Sequence, residues 1–425
     1  MRSSFQARAA QYDDRDELAS WRTAFLIPQF QGKDSIYFTG NSLGLQPKSL
    51  RALVNEELDD WAEFGVEGHF HSRRPWYSYH EQLMQSGAEV VGAKLGEVVH
   101  MNGLTVNLHL MMVSFYQPTE SRFKIICEAK AFPSDQYMLE SQLAFHGLSL
   151  DEALIEVAPR VGEHLIRHED ILKAIADCGD QLAMVFWGGM NYYSGQFFDI
   201  EAITRAAHAA GAVAGFDLAH AAGNVPLALH DWNVDWAAWC TYKYLNSSPG
   251  GVSGVFVHQR HASNPDLLRF AGWWGHNKES RFQMEPGFDA LPTAEGWQLS
   301  NAPILSMAAH LASLRIFEEV GMENLRAKSL ALTAFLEEWI LAVAHERKAN
   351  IEVITPSNPN ERGCQLSLLV HGYGKPLFDA IAARGVIADW RNPNVIRIAP
   401  VPLYNSFQDC FRFGEILFEE LGNKL

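Results

Sequence analysis

The chain has 425 residues and sets 34 Lys and Arg against 50 Asp and Glu, a formal charge of −16. With 48% hydrophobic and 20% charged residues it is a folded protein with ample core, long enough for two or three domains, and not a disordered one. The acidic balance argues against a nucleic-acid scaffold and against docking on anionic lipid.

No apolar run reaches the roughly 20 residues that span a bilayer, and the first residues contain no apolar signal-peptide core. The five cysteines (Cys127, Cys178, Cys240, Cys364, Cys410) are widely spaced and form no C-x-x-C pair. They are expected to be reduced, mostly small core residues of a cytoplasmic protein.

In chain order, the β-like IYFT (36–39) precedes Gly-Asn-Ser-Leu-Gly at 40–44, and MNGLTVNLHLMM (101–112) sets a Gly and a Thr before an apolar helix. KIICE (124–128) and AMVFW (183–187) read as buried strands. DIEAITRAAHAAG (199–211) has helical spacing, with Asp199 as N-cap and Gly211 as stop. AVAGFDLAH (212–220), WAAWCTYKY (236–244) and GVFVH (254–258) return as strands. Strand, helix and strand in about thirty residues predict βαβ units, hence an α/β domain with a mostly parallel sheet flanked by helices.

The last third changes character. Segments 306–321 and 324–347 predict long amphipathic helices. Two β-like runs, CQLSLLVHG (364–372) and VIRIAP (395–400), flank a helical 376–385, and a final helix closes the chain. The expected division is a segment 1–45 packing on the second unit or across an oligomer interface, a large domain 46–300 and a small α+β domain 301–425.

Asp217 and Lys243 are predicted at the ends of two apolar strands, 26 residues apart, with His220 close behind the acid. Ligands of open parallel sheets bind beyond such ends. An apolar, aromatic approach would lower the pKa of Lys243 and free its amine for Schiff-base chemistry. A carboxylate at Asp217 would keep a pyridine nitrogen protonated, which points to pyridoxal 5'-phosphate. The plain alternative is a turn aspartate and a surface lysine. Gly103 and Thr105, just before an apolar helix, would cradle the phosphate, although any helix cap can look the same. In AFPSDQY (131–137), Phe132 can stack on a flat ring beside Ser134 and Asp135; the default reading of the segment is an ordinary Pro-Ser-Asp turn. Arg397, in an alternating strand, is either a bidentate carboxylate clamp or a surface residue.

Residues 40–44 also match G-x-S-x-G, which would make Ser42 a hydrolase nucleophile; a turn that binds phosphate or carboxylate is the competing reading. His164 and His168 have the i, i+4 spacing of helix-borne ligands, but without H-E-x-x-H no metal site is expected.

The blocks YFTGNSLGLQPK, NGLTVNLHLMM, EAKAFPSDQYMLESQ, GFDLAHAAGNV, TYKYLN, AGWWGH and APVPLYNSF, in order over roughly 36–415, resemble the kynureninase family of fold type I pyridoxal-phosphate enzymes. The resemblance implies cleavage of L-kynurenine, and of its 3-hydroxy derivative, to the anthranilate and L-alanine, within tryptophan breakdown or NAD precursor supply. It implies Lys243 as the Schiff-base lysine, Asp217 on the ring nitrogen, and His220 close by. Leu104, Thr105 and Tyr242 would contact the phosphate, and Phe132 the ring, with Asp135 nearby. Trp273 and Asn301 would reach the cofactor of a neighbouring subunit, so a homodimer with shared sites is implied. Ser42, His69, Trp274, Asn301 and Arg397 would line the substrate pocket, with Arg397 on the α-carboxylate. Tyr242 is the candidate acid for the final protonation at Cβ.

Two positions depart from the family pattern. Residue 188 is Gly where relatives can carry a hydroxyl residue, and Trp274 stands where some carry Phe. The competing enzyme classes are a class V aminotransferase and a cysteine desulfurase; the latter needs a mobile reactive cysteine, and none of the five lies in a Gly/Ser-rich loop.

Overall fold

The structure, a computed structural model, describes residues 1–264 and 266–422. Seven strands build its central sheet: β1 (Val98–Met101), β2 (Lys124–Glu128), β3 (Leu154–Val157), β4 (Leu182–Gly188), β5 (Val213–Asp217), β6 (Trp236–Trp239) and β7 (Ser253–Val257). Their order is β3-β2-β4-β5-β6-β7-β1. Pairing is parallel from β3 to β6, whereas β7 runs antiparallel to both its neighbours.

Every residue of β4 is buried, as expected of an apolar strand covered on both faces. Side-chain alternation divides the core. Val185 and Trp187 join Ala214, Phe216 and Trp239 under helix α4 (Ile200–Ala209), while Met184 and Phe186 join Ile125, Cys127 and Trp236 under α2 (Leu104–Phe115) and α3 (Pro133–Phe145). The Asp199 carboxylate caps α4 by accepting from Ala202 N at 2.9 Å, and Gly211 turns the chain at φ +72°.

Two expected strands are shorter than their apolar patterns. The 212–220 run stops at Asp217, whose Oδ1 accepts from Ala219 N at 2.7 Å and folds the chain into a turn. The 236–244 run stops at Trp239; beyond it Ser247 N donates to Thr241 O, and Lys243 lies in the resulting loop, not on a strand end. Apolar residues in 240–244 are buried because that loop lies inside the protein, so composition mimicked a strand.

The C-terminal unit holds an antiparallel sheet of β8 (Ile351–Val353), β9 (Leu366–Val370), β10 (Asp389–Arg391) and β11 (Val395–Ile398) in the order β8-β9-β11-β10. Helices α6 (Met322–Arg347), α7 (Gly374–Ala382) and α8 (Phe407–Gly422) pack on it. Helix α1 (Arg2–Asp14) joins the same core, with Phe5 stacked on Trp339 at 4.3 Å. Ile36–Tyr37 pairs in parallel with Val386–Ile387, tying the N-terminal segment to this unit. Helix α5 (Ile304–Val320) instead sends Met307, Leu314 and Phe317 into the core beneath the central sheet.

The five cysteines are free thiols, four of them buried. No helix among the described residues is long and apolar enough to cross a membrane.

Candidate active site

Connections from β2 to β3 and from β4 onward run in opposite directions along the sheet, so a crevice opens between β2 and β4 at their carboxyl ends. A cavity of about 330 Å³ lies there. Its walls bring together Leu104, Thr105, Phe132, Ser134, Asp135, Asp217, His220, Tyr242 and Lys243, nine of the residues expected from the sequence.

Lys243 Nζ lies 3.0 Å from His220 Nε2 and 5.8 Å from the centre of the Phe132 ring. Burial, reinforced by the Lys243 charge, drives His220 well below its usual range, so the imidazole is neutral and Nε2 accepts from the lysine. Its Nδ1 finds no hydrogen-bond partner among the described residues. Asp217 and Asp135 form a buried, hydrogen-bonded pair. Burial raises both carboxyls, and the Asp217 charge pushes Asp135 further, well above the ordinary range. The shared proton therefore belongs to Asp135, and Asp217, steadied by the Ala219 N–H and by Lys243, is the anion. Burial also raises the Tyr242 hydroxyl, which stays protonated and able to donate.

The opposite wall suits an anion. Helix α2 begins at Leu104 after Gly103, and no side chain caps its first turn. A Cβ at Gly103 would meet nothing, so the approach to these N–H groups is open. Gly250, Gly251 and Ser253 complete this wall, and Ser253 Oγ is buried without a partner among the described residues. A ring bearing a phosphate, a basic nitrogen and an aldehyde fits these donors, the Asp217 anion and Lys243 respectively.

The remaining expected residues lie outside this cavity. Ser42 is exposed in a turn, where its N–H donates to Thr39 O at 2.8 Å; the next helix starts only at Leu50, so no strand-to-helix elbow forms at Ser42 and the nucleophile reading fails. The same loop does reach the site, because Gly44 N donates to Tyr242 O at 2.8 Å and packs too closely on the Lys243 carbonyl for any Cβ. His69 is half-buried and donates to Val66 O at 2.9 Å. Trp274 is buried against Tyr77 and Arg281. Trp273 is 44% exposed and Asn301 is exposed. Arg397 is buried behind Tyr192, with Nη1 donating to the Tyr192 carbonyl at 2.5 Å and Nη2 paired with Asp389. His164 precedes the helix that starts at His168 and lies 3.6 Å from Glu352, so the two histidines do not share a helical face.

Sequence reasoning passed over Glu128, Met190 and Tyr192, which line the cavity together with Gly188. Glu128 ends β2 as Asp217 ends β5, and that placement was the available signal. Burial pushes the Glu128 carboxyl up to about 7, against the Asn191 hydrogen bond and with the Asp217 charge. None of the five cysteines lines the cavity, and the two adjoining its walls in sequence, Cys127 and Cys240, are buried thiols raised by burial.

Solved structures superpose on most of the chain. A cysteine desulfurase of Escherichia coli matches 96% of this chain and 98% of its own with a TM-score of 0.76 at 15% identity. A C-DES mutant carrying glycine linked to its PLP cofactor matches 91% and 96% with a TM-score of 0.77 at 14% identity. The fold is that of the fold type I pyridoxal-phosphate enzymes. Residues 325–417 match the kynureninase C-terminal domain. The kynureninase of Flavobacterium psychrophilum is 58% identical over 96% of both chains, and that of Myxococcus xanthus is 53% identical over 96% of both. The chain belongs to the kynureninase family.

Proposed function

We propose that the cavity holds pyridoxal 5'-phosphate and that the protein hydrolyses the Cβ–Cγ bond of L-kynurenine, giving anthranilate and L-alanine, and accepts 3-hydroxy-L-kynurenine as well. The observation that carries the reading is the convergence of Lys243, neutral His220 and anionic Asp217 on one cavity whose far wall is an uncapped helix start. When bound, the cofactor supplies a protonated pyridine ring that takes up the electrons released at Cα.

The chain supplies the rest. The α2 N-terminus and Ser253 bind the phosphate, Asp217 holds the proton on the ring nitrogen, and Phe132 covers the ring. Lys243 is the covalent attachment point, and its freed amine takes the Cα proton, with His220 orienting Nζ at 3.0 Å. Water adds to the γ-carbonyl, and collapse of the hydrate breaks Cβ–Cγ. Tyr242 donates a proton to Cβ and is reprotonated from the water consumed, Lys243 gives back the proton it took so that Cα regains its hydrogen, and Arg397 binds the α-carboxylate.

Added L-kynurenine should therefore produce anthranilate fluorescence, and borohydride reduction of the holoenzyme should add the cofactor's mass to the peptide containing Lys243. No fluorescence with either substrate would end the activity reading; an unmodified peptide would end the lysine assignment. Tyr242→Phe should retain cofactor but slow turnover by roughly 10²–10⁴, the usual worth of a positioned acid. Near-normal turnover would remove Tyr242 from the chemistry.

We also propose a cytoplasmic homodimer that shares its sites. Val106 and Phe132, on the cavity wall, are 51% and 40% exposed, and Trp273, Phe270, Phe282 and Met284 are exposed apolar residues of the segment that carries Trp273. Such surface calls for a cover. Trp273 and Asn301 would then complete the partner's site. Lys243→Ala and Trp273→Ala subunits, each defective alone, should regain roughly a quarter of normal activity when mixed, through heterodimers with one intact site. Absence of any recovery would count against shared sites.

A further inference from the structure

Position 188 is a glycine, and a different residue uses the room it leaves. Gly188 ends β4 in register with Asp217 of β5, on the side of β4 opposite to β2 and Glu128. A Cβ at 188 would lie 2.5 Å from Glu128 Oε1, so the Glu128 carboxyl occupies space that only a glycine leaves open. The other oxygen, Oε2, accepts from Asn191 Nδ2 at 2.8 Å.

Asn191 organises the loop after β4. Its Oδ1 accepts from Tyr193 N at 3.0 Å and Ser194 N at 2.9 Å, its N–H donates to Gln196 O at 2.8 Å, and its carbonyl accepts from Gly195 N at 2.9 Å. This loop presents the Tyr192 carbonyl to Arg397 Nη1. Gln365, from the C-terminal unit, donates to the same carbonyl at 3.2 Å. The Tyr192 carbonyl is thus pinned from the central sheet through Asn191 and from the small unit through Gln365. Arg397 Nε has no partner among the described residues, which leaves one donor of the fork uncommitted.

We infer that Glu128 is a positioning residue for the substrate carboxylate: through Asn191 it sets the Tyr192 carbonyl that aims Arg397, and Gly188 is the clearance it requires. The inference rests on Arg397 being the carboxylate clamp. A buried acid is costly unless its bonds repay burial. With its carboxyl pushed up to about 7 it is partly neutral near neutrality, so Gln is its isostere.

The test compares E128A, E128Q, G188A and the E128A/G188A pair as holoenzymes, with R397A alongside. A misplaced clamp should raise the KM of E128A for L-kynurenine about tenfold or more while kcat stays within about threefold. The inhibition constant of L-alanine, which carries the same carboxylate, should rise by the same factor, and cofactor absorbance should be retained. E128Q, which keeps the acceptor for Asn191, should stay within about threefold of the parent on every measure. G188A should reproduce E128A, and the double variant should be no worse than either single one.

The inference is overturned by an E128A enzyme whose kcat or cofactor retention falls at unchanged KM, by an E128Q as defective as E128A, or by a G188A with unaltered KM, a result readable even should E128A not fold. A raised KM in R397A beside an unaffected E128A sinks the Glu128 role alone. An unaffected R397A sinks the clamp itself.

Discussion

Lys243→Ala is expected to leave a folded protein that turns over L-kynurenine at least about 10⁴-fold more slowly, because one change removes both the proposed covalent attachment point and the proposed base at Cα. Folding should survive. The side chain is half-buried and forms no salt bridge among the described residues, while the local structure rests on the backbone, where Asn246 N donates to the Lys243 carbonyl at 3.0 Å. Lys243→Arg should be as inactive, since a guanidinium keeps a cation near Phe132 but does not give up its proton near neutrality. That pair separates a chemical role from an electrostatic one. Anthranilate fluorescence reads turnover and circular dichroism reads folding; a lysine-free variant within tenfold of normal would refute the mechanism.

Asp217→Asn should cost roughly 3 kcal/mol, or about a hundredfold in turnover, the worth of a strong charge-assisted bond in a dry site. The amide is isosteric and can still accept from Ala219 N, so the turn after β5 should persist. It cannot supply the anion that keeps a ring nitrogen protonated. The substitution should also move its neighbour. The Asp217 charge is, after burial, the strongest cause holding the Asp135 carboxyl high, so its removal should lower the Asp135 titration and let that carboxyl ionise in a wider pH range. Turnover and the pH profile measured together test this. A profile identical to the parent's, at a hundredfold lower rate, would mean that the two acids are not linked as described.

Local pattern was a good guide where one face or one run decided the structure. The apolar run 183–187 and the capped, helically spaced 199–211 formed the elements expected of them. It misled where a largely buried loop carried the composition of a strand: Cys240, Tyr242 and Tyr244 prolong the pattern of Trp236–Trp239, yet the chain leaves the sheet after Trp239. Short edge elements escaped notice. β1 and β3 each span four residues, too few for a periodicity to emerge. The direction of β7 was equally invisible, because a strand pattern reads the same in either sense.

By itself, the sequence determined the chemical inventory and its order along the chain: a lysine, two acids, a histidine and a helix start, each within a block of family pattern. Only tertiary structure decided which of these share a cavity, that Arg397 stands behind the Tyr192 carbonyl and is paired with Asp389, and that Glu128 leans into the gap above Gly188. The reason is geometric. A side chain's partners are set by the register of strands sixty or more residues apart, as between Glu128 and Asn191, and no local period along the chain records that register.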